Sequence, residues 1–226
     1  MTSSNTPQFN VSASLIRRLG EVIVPDAVHA LTELIKNAYD ADAGRVTIEI
    51  NTKQTIPSPT AHFKPSTPGY IIIKDNGNGM SWEQLQSNWM NFSFSEKGEL
   101  KTKAPTEKKR TLVGGQGLGR LGTVHLGDCV EIFKDLMAGE NQSHGAFDWK
   151  NFTDERQLTN VSFFAEQIPN SSLKGTHLLI HPLKNQDQWK GNNGNELATQ
   201  LKEKISLFAD PNSFQVTIKI DGEEVP

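Results

Sequence analysis

Apolar residues recur at Ala27, Leu31, Leu34, Ile35 and Ala38, the spacing of one helix face, so a helix is predicted from Asp26 to Ala43. Asp26 stands where a cap accepts the first unpaired N–H groups, and Gly44 stands where a helix commonly turns off. Upstream, Leu15, Ile16 and Leu19 outline a short amphipathic turn before Gly20, behind a polar stretch, 1–14, expected to be a flexible arm. Val46, Ile48 and Ile50 alternate within Arg45–Ile50 and predict a half-buried strand. A second short strand, Tyr70–Lys74, follows a loop or insertion at Asn51–Gly69 that holds four prolines. Ser81 with Gln84 has the spacing of a capping box and opens a helix through about Met90. Strands are expected near 129–134, 144–150, 160–166 and 176–181, a helix near 195–208 and a last strand at Ser213–Ile220. Helices on either side of a run of adjacent strands predict an α+β fold, a two-layer α/β sandwich with a mixed, mostly antiparallel sheet.

The remaining stretches lack a period. Asn91–Leu112 is polar and rich in both charges, with only Thr111-Leu112-Val113 as a possible strand before the glycine-dense run Gly114–Gly122. At 226 residues the chain suits one large domain, expected at 15–226, and its ending just after a strand reads as the first domain of something longer. Hydrophobic residues at 35% and charged residues at 22% exclude a disordered chain, and no apolar run nears the ~20 residues that span a bilayer. The single cysteine, Cys129, rules out an internal disulfide and fits a reducing compartment, so a cytoplasmic protein without a membrane partner is expected. A net charge of −3 does not indicate nucleic-acid coating, although it leaves a local basic patch open.

Three segments carry chemistry. Glu33, Asn37 and Asp40 stand at i, i+4 and i+7 on one side of the first helix, offset from its apolar stripe. They read either as that stripe's solvated flank or as a carboxylate that holds a water beside an amide oxygen for a hard cation. Asp75-Asn76-Gly77-Asn78-Gly79-Met80 is either a tight turn or an acceptor carboxylate followed by glycines that let a flat ligand approach the backbone. A calcium loop is excluded, since Gly77, Gly79 and Gln86 stand where that loop needs oxygen ligands. Gly117-Leu118-Gly119-Arg120-Leu121-Gly122 satisfies G-x-G-x-x-G, but no strand directly precedes it in a βαβ unit, so a dinucleotide fold is not supported. No H-R-D or D-F-G follows, which removes the protein kinases, while a glycine loop entering a helix remains a good phosphate site.

The order of these pieces resembles that of the GHKL ATPases, the superfamily of gyrase, the ninety-kilodalton heat-shock chaperones, the histidine kinases and MutL. Glu33-Leu-Ile-Lys-Asn37-Ala38-Tyr-Asp40-Ala41 is followed by Asp75-x-Gly77-x-Gly79, by Gly115-x-Gly117-x-Gly119 and by Gly175-Thr176, across about 11–220. The resemblance implies the Bergerat ATP-binding fold, with helices on one face of the sheet, and ATP and Mg²⁺ as cofactors. It implies that Glu33 activates the attacking water, that Asn37 holds Mg²⁺ and that Asp40 supports the pocket. Asp75 would accept from the adenine amino group beside Gly77, Gly79 and Met80, with Thr176 assisting. Gly115, Gln116, Gly117, Leu118 and Gly119 would wrap the phosphates, within an ATP lid at about 91–122. One lysine or arginine of the lid would reach the γ-phosphate, and Arg120 reads equally as a phosphate ligand or a surface pair. MutL, the chaperones and MORC proteins look nearest, though Gly115-Gln116-Gly117 is one residue shorter than the chaperone and MORC Gly-Gln-x-Gly. An ATPase with ATP-driven homodimerisation, powering a chaperone-like, DNA-processing or defence machine, is the first expectation. A histidine-kinase-type domain and a non-hydrolysing nucleotide-sensing module are the alternatives. The six histidines form no ligand spacing, His29 reads as structural, and Trp82 and Trp89 read as a packed helix face.

Overall fold

The computed structural model describes residues 10–56, 61–65, 67–89, 106–114, 119–135, 142–168 and 174–225. Helix α1 spans Ala13–Ile23 and α2 spans Ala27–Asp40. Strands β1 (Arg45–Asn51) and β2 (Tyr70–Asp75) follow, then the single turn α3 (Trp82–Gln84), a π turn at Leu85–Trp89 and a 3₁₀ helix at Gly119–His125. Strands β3 (Gly127–Asp135), β4 (Gln142–Asp148), β5 (Phe164–Ile168) and β6 (Gly175–Leu183) lead to α4 (Gly191–Ser206), β7 (Gln215–Ile220) and the short β8 (Glu223–Glu224). One sheet of eight strands runs β5-β4-β3-β6-β2-β1-β7-β8, antiparallel except for the β1–β7 pair. The α+β expectation is met.

Strand alternation sorts the sheet into two faces. Val46, Ile48, Ile50, Ile71, Ile73, Val130, Ile132, Leu178 and Ile180 join α1, α2, α4 and the 3₁₀ helix in the main core. Asp26 caps α2 by accepting from the His29 N–H at 2.8 Å, a bond worth about 1 kcal/mol. No helix among the described residues is long and apolar enough to cross a membrane.

Several boundaries differ from expectation for identifiable reasons. The chain is docked earlier than the 1–14 arm foresaw, because Ser12 bridges Gln157 and Ala13 and Ser14 are already buried in α1. Gly20 does not end α1; a Cβ there would sit 2.6 Å from the Leu121 carbonyl oxygen, so it is the point where the 3₁₀ helix presses on α1. Gly44 is not the turn-off residue of α2, since Asp42 takes the left-handed conformation with φ 59. The capping box of Ser81 and Gln84 forms, but the helix loosens at once into the π turn, which draws both Leu85 and Trp89 into the core. Residues 111–113 form no strand.

The opposite face of the sheet is covered in part by the proline-rich segment. Ile56 packs with Tyr70 and Leu179 there, beside Ala61, Ile72 and Phe133. Glu131, fully buried on β3, anchors that cover: its carboxylate accepts from the His62 and Phe63 N–H groups at 2.8 and 3.1 Å. It also accepts from Nε2 of His144 at 3.0 Å and of His181 at 3.3 Å. Burial would push this carboxyl up, but the two histidines and two backbone donors outweigh it and hold it at about 2. A depressed carboxyl stabilises the fold fully above its ordinary value near 4.5 and loses that contribution as pH falls toward about 2. Acid unfolding of the wild type is therefore expected to steepen across that window, whereas Glu131→Gln, less stable at neutral pH by roughly 3 kcal/mol, shows a flatter profile. Parallel profiles in thermal melts from pH 5 to 2 would remove Glu131 from this role.

Candidate functional site

Glu33, Asn37 and Asp40 line the side of α2 that meets the glycine segment. Glu33 Oε1 is held by Lys36 Nζ at 2.7 Å, one turn along the helix. Its Oε2 faces Gly119: a Cβ on Gly119 would lie 2.9 Å from the Glu33 Cβ and 3.3 Å from Oε2. In a 3₁₀ helix, residues i and i+3 stack on one side, so Gly119 and Gly122 both turn toward α2. A Cβ at Gly122 would meet Val24 at 2.9 Å and Ala30 at 3.2 Å. The last two glycines of the G-x-G-x-x-G pattern thus bring the segment against α2, and the first of them against the Glu33 carboxylate. Gly115, Gln116, Gly117 and Leu118 lie outside the described residues, as does the greater part of the expected lid.

Asp40 is buried and bonded to the entry of that segment. Its Oδ1 accepts from the Val113 N–H at 2.9 Å and its Oδ2 from the Gly114 N–H at 3.0 Å. Arg110, expected among the cations free to reach a phosphate, is committed elsewhere. Its guanidinium donates to the carbonyls of Tyr39 at 3.1 Å, Ala43 at 2.6 Å and Ser213 at 2.8 Å, and lies over the Tyr39 ring at 4.4 Å. A cation capping carbonyls at the C-terminal end of α2 is favoured by the helix dipole. Asp40 and Arg110 together fix 106–114 to the end of α2. Asn37 sits between them and Glu33, exposed to solvent.

At the far end of β2, Asp75 is half-buried. Its Oδ1 accepts from the Gly77 N–H at 2.9 Å and the Thr176 N–H at 3.3 Å. Burial raises its carboxyl above the ordinary range, against the backbone donor of Gly77, the charge of Lys134 and the bonds from Thr176. Each glycine has its own reason. Gly77 is pressed on the α2 end, with a Cβ there 2.6 Å from the Ala41 carbonyl oxygen, and Gly79 takes φ 68. Gly175 combines φ 107 with a would-be Cβ 2.1 Å from the Asp75 carbonyl oxygen, so only glycine lets β6 deliver Thr176 to Asp75. Asn76 Oδ1 ties this turn to the α2–β1 junction through the Gly44 and Arg45 N–H groups, both at 2.8 Å. Met80 packs against the main core.

Arg120 is not a surface residue. It is buried in the 3₁₀ helix, its guanidinium 6.0 Å from the Trp89 ring, and desolvation lowers it to about 10, so it stays charged at neutral pH. Cys129 is an inert strand residue whose thiol burial pushes up to about 12. Among the described residues no group of three or more histidine, cysteine or acidic side chains is arranged to hold a metal ion. The sequence reading missed Lys134, buried on β3 directly opposite Thr176. Its signal was parity: Lys134 follows Val130 and Ile132 on the core face of the strand.

A carboxylate midway along α2 facing a glycine segment, and an acceptor carboxylate at the end of β2, can together address a ligand with phosphates and a hydrogen-bonding ring. The family model described as histidine kinase-, DNA gyrase B-, and HSP90-like ATPase matches residues 26–177, two thirds of the chain. A candidate type II restriction enzyme of Herpetosiphon aurantiacus, HgiDII, is 22% identical over 215 residues, covering 93% of this chain and 31% of that protein. The chaperone protein HtpG of Orientia tsutsugamushi is 25% identical over 203 residues, covering 86% of this chain and 29% of its own length. The chain thus spans about a third of the length of these curated relatives.

Proposed function

The chain belongs to the histidine kinase-, DNA gyrase B- and HSP90-like ATPase family, and from that premise we propose that it binds Mg²⁺–ATP, hydrolyses it slowly and dimerises in the ATP-bound state. The observation that carries the hydrolytic reading is Glu33, one oxygen held by Lys36 and the other facing Gly119. A carboxylate so placed can take the proton of a water attacking a phosphate gathered by the glycine segment. A histidine-kinase-type domain has no need of a base there, so the ATPase reading is preferred to phosphotransfer. A non-hydrolysing module is likewise less favoured.

The donor set suits Mg²⁺. Asp40 accepts from Val113 and Gly114 through its two oxygens, and Asn37, exposed on the same side of α2, would supply the protein oxygen for the ion. Mg²⁺ keeps several waters and takes the rest of its shell from phosphate oxygens, so one protein oxygen is enough. When bound, the ion would neutralise phosphate charge. Asp75 would accept from the adenine amino group beside Gly77, Gly79, Met80 and Thr176. Gly115, Gln116, Gly117, Leu118 and Gly119 would cradle the phosphates, as would Arg120, and 91–122 would close as a lid. Asp40 acts as the anchor from which that lid swings. The test is titration of the protein with ATP, with and without Mg²⁺, followed by phosphate release under saturating ATP. Binding that needs Mg²⁺ and slow release support the reading, and absence of any nucleotide binding sinks it.

Dimerisation draws support from α1. Leu15, Leu19, Val22 and Ile23 are exposed along one side of it, with Val22 at 79%. A second copy would cover that strip once ATP is bound, and the cycle would drive a chaperone-like, DNA-processing or defence machine in the cytoplasm through the remainder of a longer protein. Val22→Asp is expected to weaken the ATP-dependent dimer at least tenfold in sedimentation while leaving the ATP affinity of the monomer, read at dilution, unchanged, because the new charge would have to be buried in the dimer. An unaltered dimer would move the interface away from α1.

A further inference from the structure

Four polar residues form a row across the end of the sheet, on the face beneath the helices. Lys134 of β3 pairs directly with Thr176 of β6 on one side and with Ser143 of β4 on the other. Asp75 of β2 lies one step beyond the Lys74–His177 pair and receives the Thr176 N–H. The neighbours one step inward on this face, Ile132, Leu178 and Ile73, are core residues. Lys134 is only 4% exposed, Ser143 4% and Thr176 9%, so a lysine has been buried in the same row as Asp75, with Thr176 between them, where its charge acts on the carboxylate. A lysine with no electrostatic role is seldom buried so deeply, since desolvation disfavours its charge.

Resting on the nucleotide reading above, we infer that Lys134 sets base selectivity: its ammonium holds Asp75 as an acceptor-only carboxylate, so the pocket takes a 6-amino purine and refuses a 6-oxo purine. An ionised carboxylate offers acceptors alone, which match an exocyclic amine and oppose a carbonyl oxygen. A protonated Asp75 would gain a donor and accept the 6-oxo group. Burial drives Asp75 toward that protonated form, and the Lys134 charge opposes it together with the Gly77 and Thr176 donors. From the other elements packed here, β1 presents Val46 opposite Asp75, and the α2 end presents the Ala41 carbonyl against Gly77. On α2 itself, Asp40 is turned to 113–114 and Glu33 to Lys36. Lys74 and His177, by strand parity, belong to the other face. Lys134 is a positioning residue in this scheme, acting through Asp75.

Two measurements separate this inference from the nucleotide reading it rests on. The first follows the Asp75 carboxyl by ¹³C NMR in ligand-free wild type, Lys134→Met and Lys134→Arg. Asp75 is expected to be ionised at neutral pH in wild type and Lys134→Arg, and to titrate at least one unit higher in Lys134→Met. The second compares affinity for ATP with that for ITP, its 6-oxo counterpart, from pH 6 to 8.5. The ATP preference should stay within threefold across that range in wild type and Lys134→Arg. In Lys134→Met it should fall about tenfold at pH 6 and recover as pH rises, tracking one unit of titration. A wild-type Asp75 that is neutral at pH 7, or a Lys134→Met titration and preference identical to wild type, overturns the role of Lys134. Failure of both nucleotides to bind overturns the nucleotide reading and with it base selectivity.

Discussion

Glu33→Ala should bind Mg²⁺–ATP within about threefold of wild type yet release phosphate at least ~100-fold more slowly, the usual cost of removing a positioned general base. The separation of the two effects follows from geometry. Glu33 Oε1 is neutralised by Lys36 at 2.7 Å, while Oε2 faces the exit of the glycine segment at Gly119. Neither oxygen supports the backbone, so the fold loses only a half-exposed ion pair, worth less than about 1 kcal/mol. Glu33→Gln, which keeps the shape and removes the base, should behave like the alanine variant. Single-turnover phosphate release and equilibrium ATP titration on the same samples decide the matter. If the alanine variant hydrolyses ATP as fast as wild type, Glu33 is not the base and the phosphotransfer or sensing alternatives gain ground.

Asp75→Asn is expected to act the opposite way, lowering ATP affinity roughly 100-fold, the scale of a hydrogen bond to a charged group replaced by two opposed donors. An ionised carboxylate has about four acceptor sites. The N–H groups of Gly77 and Thr176 and the Thr176 side chain occupy three, so one remains for a ring amine. Asparagine can still accept both backbone donors through its oxygen but turns its NH₂ toward the ligand. The melting temperature should therefore stay within a few degrees of wild type while binding collapses. Calorimetry with ATP reads the affinity directly; unchanged binding in Asp75→Asn would place the base recognition elsewhere.

Periodicity made much of the fold readable. The α2 stripe, the alternation of β1 and the capping box of Ser81 and Gln84 all depend on neighbours a few residues apart, and each formed. Errors concentrated where a distant contact overrides a local signal. Gly20 reads as a helix stop, but it is the place where Leu121 must approach α1, a contact spanning a hundred residues of chain. Arg110 reads as one more lid cation, and only the arrival of the Tyr39, Ala43 and Ser213 carbonyls at one point turns it into a clamp. The six histidines show no spacing in the chain, yet strand pairing brings His144 and His181 onto the same Glu131.

The chemistry divides along the same line. The chain alone determined the family, the kinds of group available and the order Glu33, Asn37, Asp40, Asp75, Gly119 and Thr176, because these motifs are local. The tertiary structure decided which groups are spoken for: Asp40 by Val113 and Gly114, Arg110 by the α2 end, and Glu33 Oε1 by Lys36. It also decided that Lys134 shares a row with Asp75. Strand order and register are set by packing between segments far apart in the chain, and local spacing carries no record of which strands become neighbours.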